Sequence, residues 1–115
     1  MIRPKLFTTN RISENKVEID MVINPDLFYF DGHFAVRKVL PGVVQLGWAQ
    51  EFSEEFFKIK SAGETPVVKF TAPIIPQDRV KLTLEYLPDK KRVSFAYVIT
   101  SQNNAKASAG KLITK

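Results

Sequence analysis

Residues 29–49 read YFDGHFAVRKVLPGVVQLGWA, and the Pro-Gly pair in this stretch opens an apolar run. Pro41 suits the first turn of a helix, because its φ is already near the helical value and no backbone N–H is needed there. Beyond it, Val44, Trp48 and later aromatic residues recur every four positions, which predicts a helix of about five turns ending near Lys60. The first half is apolar almost all round, so we expect it to be enclosed. The second half is amphipathic, with lysines predicted in the last turn, where positive charge suits the helix dipole.

Alternating apolar and polar residues predict antiparallel strands on both sides of this helix. The candidate strands cover residues 5–10, 17–23, 67–70, 80–86, 93–99 and 106–114, and the segments SENK, LPDKKR and SQNNAK are candidate turns. One enclosed helix and one antiparallel sheet predict the α+β class. We expect a single domain spanning residues 1–115.

Composition narrows the class of protein. The chain is 44% hydrophobic and 25% charged, carries a net charge of +5 and has no cysteine. Without cysteine there is no disulfide framework or thiolate site, which fits the cytoplasm. No run approaches the about 18 apolar residues of a membrane span, and no signal peptide is evident. The densest basic cluster, Lys90–Arg92, is too short for a nucleic-acid-binding patch and is predicted to be a solvated hairpin tip.

The chemistry-bearing candidates are His33, the single histidine of the chain, and Gly42, which follows Pro41. A helix N-terminus offers free backbone N–H groups that favour an oxygen gaining negative charge. Glycine there lets a ligand approach the backbone, and a neutral imidazole can take a proton from carbon. Together these groups suit proton abstraction beside a thioester carbonyl. On residue types alone, a histidine after Asp-Gly is more typical of an exposed turn.

Searches for other motifs exclude several classes of enzyme. The sequence contains no GxGxxG, no GxxxxGK followed by Ser or Thr, no HExxH and no GxSxG. One histidine without cysteine does not make a structural zinc site. We therefore expect no metal and no nucleotide or other cofactor.

The segment FDGHFAVRKVLPGVVQLGWA resembles the motif of the hotdog-fold 3-hydroxyacyl-acyl carrier protein dehydratases, in which Gly-His-Phe precedes Pro-Gly-Val and a helix. A second block, VVKFTAPIIPQDRVKLTLEY, is similar to that family's strand after the helix. The segment PGVVQLGWA is most similar to the corresponding segment of the small dehydratase-like proteins of aryl-polyene biosynthesis clusters. The resemblance implies a hotdog fold, with an antiparallel sheet wrapped around one long central helix. It also implies a homodimer or larger homo-oligomer, with the acyl chain in a tunnel between subunits.

The activity that the resemblance implies is a lyase reaction of fatty-acid or polyene-type biosynthesis. A 3-hydroxyacyl thioester of acyl carrier protein, or of coenzyme A, would lose water to give the trans-2-enoyl thioester. His33 matches the family's catalytic histidine, and Gly42 matches the residue whose N–H holds the thioester oxygen.

Several further positions are expected to contact substrate or partner. Substrate-binding candidates are Phe34, Val43, Gln45, Gly47 and Trp48; Trp48, with Phe52 and Phe56, is also typical of a core. Arg37 and Lys38 lie near the implied tunnel mouth and are candidates for binding a carrier protein, although solvated surface charge explains them equally well.

One departure from the family pattern leaves the activity open. The family places Glu or Asp fourteen residues after the histidine, where this chain has Gly47. Glu51, one helical turn on, is a candidate replacement acid, with Gln45 a weaker candidate that only orients a water or hydroxyl. The alternatives are a catalytically degenerate homologue that binds acyl chains or carrier protein, and a hotdog acyl thioesterase. Two smaller departures are Ala35, where the family has Pro, and Gln77, where it usually has Gly at a turn.

Overall fold

A computed structural model describes residues 3–4, 6–24, 39–62 and 67–115 of the chain. Within them the chain forms one α-helix, six β-strands and two short 3-10 helices. The helix α1 is Gly42–Phe57, and the strands β1 to β6 are Leu6–Ser13, Lys16–Val22, Val67–Phe70, Arg79–Leu87, Arg92–Ile99 and Ala105–Ile113. The predicted α+β class is confirmed.

The strands form one antiparallel sheet in the order β1-β2-β4-β5-β6-β3. The last three strands in the chain, β4, β5 and β6, are neighbours in the sheet in the same order and form a meander. β3 comes directly after the helix in the chain but pairs with β6, at the opposite edge of the sheet from β1. The connection from β2 to β3, which contains α1, therefore spans the sheet, and α1 packs on β4.

The inner face of the sheet is built by the alternating residues predicted from the sequence. In β5, every second residue is buried, from Val93 to Ile99. The buried residues of β2, β4 and β5 are Val17, Ile19, Met21, Val80, Leu82, Leu84, Val93, Phe95, Tyr97 and Ile99. Because successive strand side chains point to opposite faces, this alternation gives the sheet one apolar face on which the helix packs.

The prediction that the helix is enclosed all round is wrong for the described residues, because α1 buries one face and leaves Val43, on the opposite side, 69% exposed. Its buried residues are Val44, Gln45, Trp48, Ala49, Phe52 and Ser53. Trp48 and Phe52 are both fully buried, and burial of each side chain contributes about 2–3 kcal/mol. These residues form the centre of the core, which the sheet covers.

The helix is shorter than predicted, and no lysine lies in its last turn. It ends at Phe57, and Lys58 adopts a left-handed conformation with φ 54°. Arg11 of β1, and not a lysine of the helix, supplies the positive charge at the last turn. Its Nη2 donates to the carbonyl oxygen of Phe56 at 2.6 Å, which places a cation at the negative end of the helix. This long-range contact is invisible in the periodicity of the helix.

The hairpin tip between β4 and β5 is solvated, as predicted. A 3-10 helix, Pro88–Lys90, forms this turn, and both Lys90 and Lys91 are exposed. Among the described residues, no helix is long and apolar enough to cross a membrane.

Candidate functional site

Gly42 is the first residue of α1, and its backbone N–H lies at the positive end of the helix. Pro41 precedes it in an extended conformation, and the amides of Val44 and Gln45 both donate to the Pro41 carbonyl, at 3.1 and 3.2 Å. No other described residue accepts a hydrogen bond from the Gly42 N–H. First-turn amides have no partner within their own helix. The Gly42 amide is therefore a donor available to an oxygen that carries negative charge.

A cavity of about 420 Å³ lies at this end of the helix. Its described lining residues are Val39, Leu40, Gly42, Gln45, Phe70, Thr71, Ala72 and Pro73. Most of these side chains are apolar, so the cavity suits a hydrocarbon chain with one polar group at the helix start.

The aromatic ring of Phe70 lies directly against Gly42. A Cβ atom at position 42 would be 2.7 Å from Cζ of Phe70, a distance that non-bonded carbon atoms do not adopt. Phe70 itself is 51% exposed. A side chain at position 42 would therefore displace the Phe70 ring, whereas glycine lets both the ring and a ligand approach the backbone.

Val43, Gly47 and Trp48, which the sequence proposes as substrate contacts, lie in different environments. Val43 is 69% exposed and follows Gly42 in the first turn. Gly47 is partly buried in the middle of α1. Trp48 is fully buried in the core, so it serves the packing of the helix on the sheet.

Gln45 is 3% exposed, and both ends of its side-chain amide bond within the protein. Its Oε1 accepts from the Ser108 hydroxyl at 2.7 Å, and its Nε2 donates to the Leu40 carbonyl at 3.3 Å. In addition, the Tyr97 hydroxyl donates to the Gln45 backbone carbonyl at 2.7 Å. The side chain is therefore built into the wall of the cavity.

The carboxylates of α1 divide into a surface group and a partly buried one. Glu54 and Glu55 are exposed, as predicted; Glu54 accepts from Ser61, and Glu55 pairs with Arg3 at 2.8 Å. Glu51 is partly buried, and its Oε2 atom is shielded from solvent. Sequence reasoning singled out Glu51 correctly as the carboxylate with a different environment.

Glu51 and Gly42 lie far apart along the same helix. Nine residues separate them, which is about 13 Å of axial rise at about 1.5 Å per residue. The two residues therefore lie about two and a half helical turns apart.

Four of the proposed site residues, His33, Phe34, Arg37 and Lys38, lie outside the described residues. Their roles stay predictions.

Two residues at the site were not predicted from the sequence. Phe70 covers Gly42, and Ser108 holds Gln45. Phe70 stands inside the second block that carries the family resemblance, which was the available signal. For Ser108 no local signal existed, because its contact spans 63 positions in sequence.

The fold is the hotdog fold, shared with dehydratases and thioesterases. The chain superposes on a chain of the dehydratase heterocomplex ApeI:P from Xenorhabdus doucetiae with a TM-score of 0.85, at 25% identity and covering 98% of both chains. It also superposes on thioesterase superfamily member 2 from Mus musculus with a TM-score of 0.68, at 13% identity and covering 92% of this chain and 78% of that one. The latter likeness concerns the fold alone.

The sequence relatives identify the family. Residues 9–111 match the family model described as ApeI-like, ApeI dehydratase, and the chain belongs to this family. It is also 31% identical over 94 residues to the 3-hydroxyacyl-acyl-carrier-protein dehydratase FabZ of Clostridium kluyveri, a match covering 75% of this chain and 65% of that enzyme. The FabZ of Clostridium botulinum is 36% identical over 66 residues, covering 50% of this chain and 46% of that enzyme. The chain thus spans about half to two thirds of the length of these curated relatives. The predicted resemblance is confirmed.

Proposed function

We propose that this protein takes part in the dehydration of 3-hydroxyacyl thioesters to trans-2-enoyl thioesters. The observation that carries the proposal is the Gly42 amide, which begins the helix and lines an apolar cavity in a chain of a dehydratase family. Such an amide stabilises the negative charge that develops on a thioester oxygen when a proton leaves the neighbouring carbon.

In the proposed reaction, the His33 imidazole takes the C2 proton and the electron pair moves towards the thioester carbonyl. The carbonyl oxygen, now negatively charged, accepts from the Gly42 N–H. The electrons then return to form the C2–C3 double bond, while the C3 hydroxyl takes a proton from an acid and leaves as water. Each of these groups acts on atoms within a few bonds of the carbonyl, so base, amide and acid must converge there.

The acid is the component that we propose comes from a second chain. Gly47 has no proton to give, and Glu51 lies about 13 Å along the helix axis from Gly42. We therefore propose that the site is completed by a second chain, with Glu51 of a partner copy as the candidate acid in a homodimer.

Gly47 also supports a second kind of assembly, a heterodimer. One structural relative is a chain of the dehydratase heterocomplex ApeI:P. If this chain pairs with a different hotdog chain that carries an acid at the position of Gly47, the chain alone is a degenerate subunit that supplies base, amide and acyl cavity. If no such partner chain exists, the chain would bind acyl groups without catalysing their dehydration.

The test is mass spectrometry of a 3-hydroxyacyl carrier protein incubated with the purified chain. Loss of one water supports the dehydratase, release of a free acid shows a thioesterase, and an unchanged substrate shows that the chain alone is inactive.

His33→Ala should abolish dehydration. Glu51→Gln should lower the rate on the order of 10² to 10⁴-fold if Glu51 is the acid, and a full rate would dismiss that assignment. A gain of activity in Gly47→Glu would favour the degenerate subunit.

The charge distribution supports an acidic carrier protein as the source of the thioester. Residues 90–115 contain six Lys and Arg and no Asp or Glu, whereas residues 1–89 contain eleven and twelve, so the C-terminal part carries a charge of +6 against −1 elsewhere. Lys106 and Lys111 of β6 are exposed, and Lys69 on the neighbouring β3 is exposed too. A surface with one sign of charge attracts a partner of the opposite sign and raises its association rate.

A comparison of two substrates tests this partner. Lys111→Glu should reduce kcat/KM for a carrier-bound thioester and leave that for the corresponding pantetheine thioester unchanged. Lys58→Glu, at the far end of the helix, is the matched control. Equal effects on both substrates would refute carrier-protein binding at this surface. Arg37 and Lys38 remain additional candidates for it, and the cytoplasm remains the proposed location because the chain lacks cysteine.

A further inference from the structure

The start of α1 is not held by an ordinary N-cap. Pro41 occupies the cap position with φ −60° and ψ 145°, and its side chain makes no capping hydrogen bond. Proline also has no N–H, so Pro41 donates no hydrogen bond, and its carbonyl accepts only from within the helix, from Val44 and Gln45. Before it, the Leu40 N–H donates to the Ile74 carbonyl at 2.8 Å, which leaves the orientation of the Leu40 carbonyl to be set by another group.

Gln45 supplies that group. Its Nε2 donates to the Leu40 carbonyl, and its Oε1 accepts from Ser108 of β6. Tyr97 of β5 donates to the backbone carbonyl of the same residue. One residue of the helix thus connects two strands of the sheet with the peptide bond that directly precedes Pro41.

The hydrogen bonds of Gln45 lie close enough in the chain to affect the direction of the Gly42 N–H. Peptide units are planar, so the direction of the Gly42 N–H follows from the few dihedral angles between it and the Leu40 carbonyl. Leu40 is 1% exposed and Ser108 is 2% exposed. Buried polar groups of this kind need partners, and an apolar residue at position 45 would leave both without Gln45.

We propose that Gln45 is a positioning residue, which holds the Leu40–Gly42 turn against the sheet and thereby aims the Gly42 N–H into the cavity. The inference rests on the proposed function, since that function gives the amide its task. A displacement of a catalytic group by about 1 Å can cost about 10²-fold in rate, so a small rotation of the turn is enough to matter.

The test compares Gln45→Leu, Ser108→Ala and the double variant. The single Gln45→Leu change leaves the Ser108 hydroxyl buried without Gln45, and the protein should be less stable. The double variant removes that hydroxyl as well, so it should regain the part of the stability that the unpaired hydroxyl costs, while the Leu40 carbonyl stays without Gln45 in both variants. Its kcat should nevertheless stay about ten- to hundredfold lower, with KM changed less than about twofold. Ser108→Ala, which keeps the bond to Leu40, should lose less activity than either.

Two readouts keep the inference separable from the proposed function. If the wild type forms enoyl thioester and the double variant has the same kcat, the positioning role is overturned while the function stands. Activity that falls only in proportion to the folded fraction also overturns it. The second readout needs no activity: in ¹⁵N-labelled protein, the Gly42 and Val43 amide signals should shift and exchange faster in the double variant. Unchanged amide signals would overturn the inference even if the wild type proved inactive.

Discussion

The ring of Phe70 lies against Gly42 so closely that a Cβ atom at position 42 would be 2.7 Å from Cζ of the ring. The edge strand β3 thus covers the first turn of the helix that it follows in the chain. The same ring lines the cavity at the Gly42 amide, so one contact shapes both the backbone and the proposed substrate site.

Gly42→Ala should stabilise the protein less in the wild type than in a Phe70→Ala background, because the new methyl group must displace the Phe70 ring. Without the ring, the change should stabilise the helix by up to about 1 kcal/mol, since alanine favours the helix over glycine. Urea unfolding of the four proteins measures the coupling between the two positions. An equal effect of Gly42→Ala in both backgrounds would show that the ring does not oppose the methyl group.

Gln77→Gly should stabilise the protein by about 0.5–1 kcal/mol. Gln77 has φ 74°, a left-handed conformation that costs a residue with a Cβ about 1–2 kcal/mol, part of which the flexibility of glycine in the unfolded chain offsets. Gln77, which stands where the family usually has glycine, therefore has a strained backbone conformation. Asn103→Gly at φ 55° is the matched control and should gain less, because Asn tolerates this region. A destabilised Gln77→Gly variant in thermal unfolding would contradict the argument.

Asp78→Ala should cost about 2–3 kcal/mol of stability. Asp78 is 6% exposed, and its carboxylate accepts from the Ile75 N–H, the Ser101 hydroxyl and the Gln102 amide. Loss of the acceptor leaves these donors poorly satisfied and loosens the loop before β4. The exposed Asp89 provides the control, since Asp89→Ala should change stability by less than about 0.5 kcal/mol. Similar unfolding midpoints for the two variants would refute this role.

Stability should decline above pH 10 in a way that depends on Tyr97. Burial raises the pKa of Tyr97 well above its usual value of 10.0. The folded protein therefore keeps the phenolic proton where the unfolded chain releases it. This contribution is fully present below pH 10, and it falls by up to about 1.4 kcal/mol per pH unit as the pH rises towards the folded-state pKa.

The measurement is urea unfolding of the wild type and Tyr97→Phe between pH 8 and about 11. The variant should be less stable by about 1 kcal/mol at pH 8, since the bond to Gln45 is lost, and its stability should decline less steeply above pH 10. Parallel curves for the two proteins would show that Tyr97 does not cause the alkaline decline.

Most of the elements were predictable from the sequence because their patterns are local. The alternation from Val93 to Ile99 determines which face of β5 is apolar, and Trp48 and Phe52 mark the buried face of the helix at every fourth position. The end of the helix was not predictable in the same way. Lys58 leaves the helix in a left-handed conformation, and Arg11, from a distant strand, binds the carbonyl of Phe56 in the last turn.

The candidate site shows the same division. Gly42 could be proposed from residue types and spacing, because a helix start is a feature of one short segment, whereas Glu51 was proposed because the family resemblance implies an acid where this chain has Gly47. That Gln45 is held by Tyr97 and Ser108 was not evident, because those contacts depend on strand order and register.

The sequence by itself determined the class of fold, the start of the buried helix and the family to which the chain belongs, since periodicity and short motifs are properties of neighbouring residues. Only the tertiary structure decided that Phe70 covers Gly42 and that β5 and β6 hold the turn before it. Those contacts join residues far apart in sequence, and they arise only when the sheet has closed around the helix.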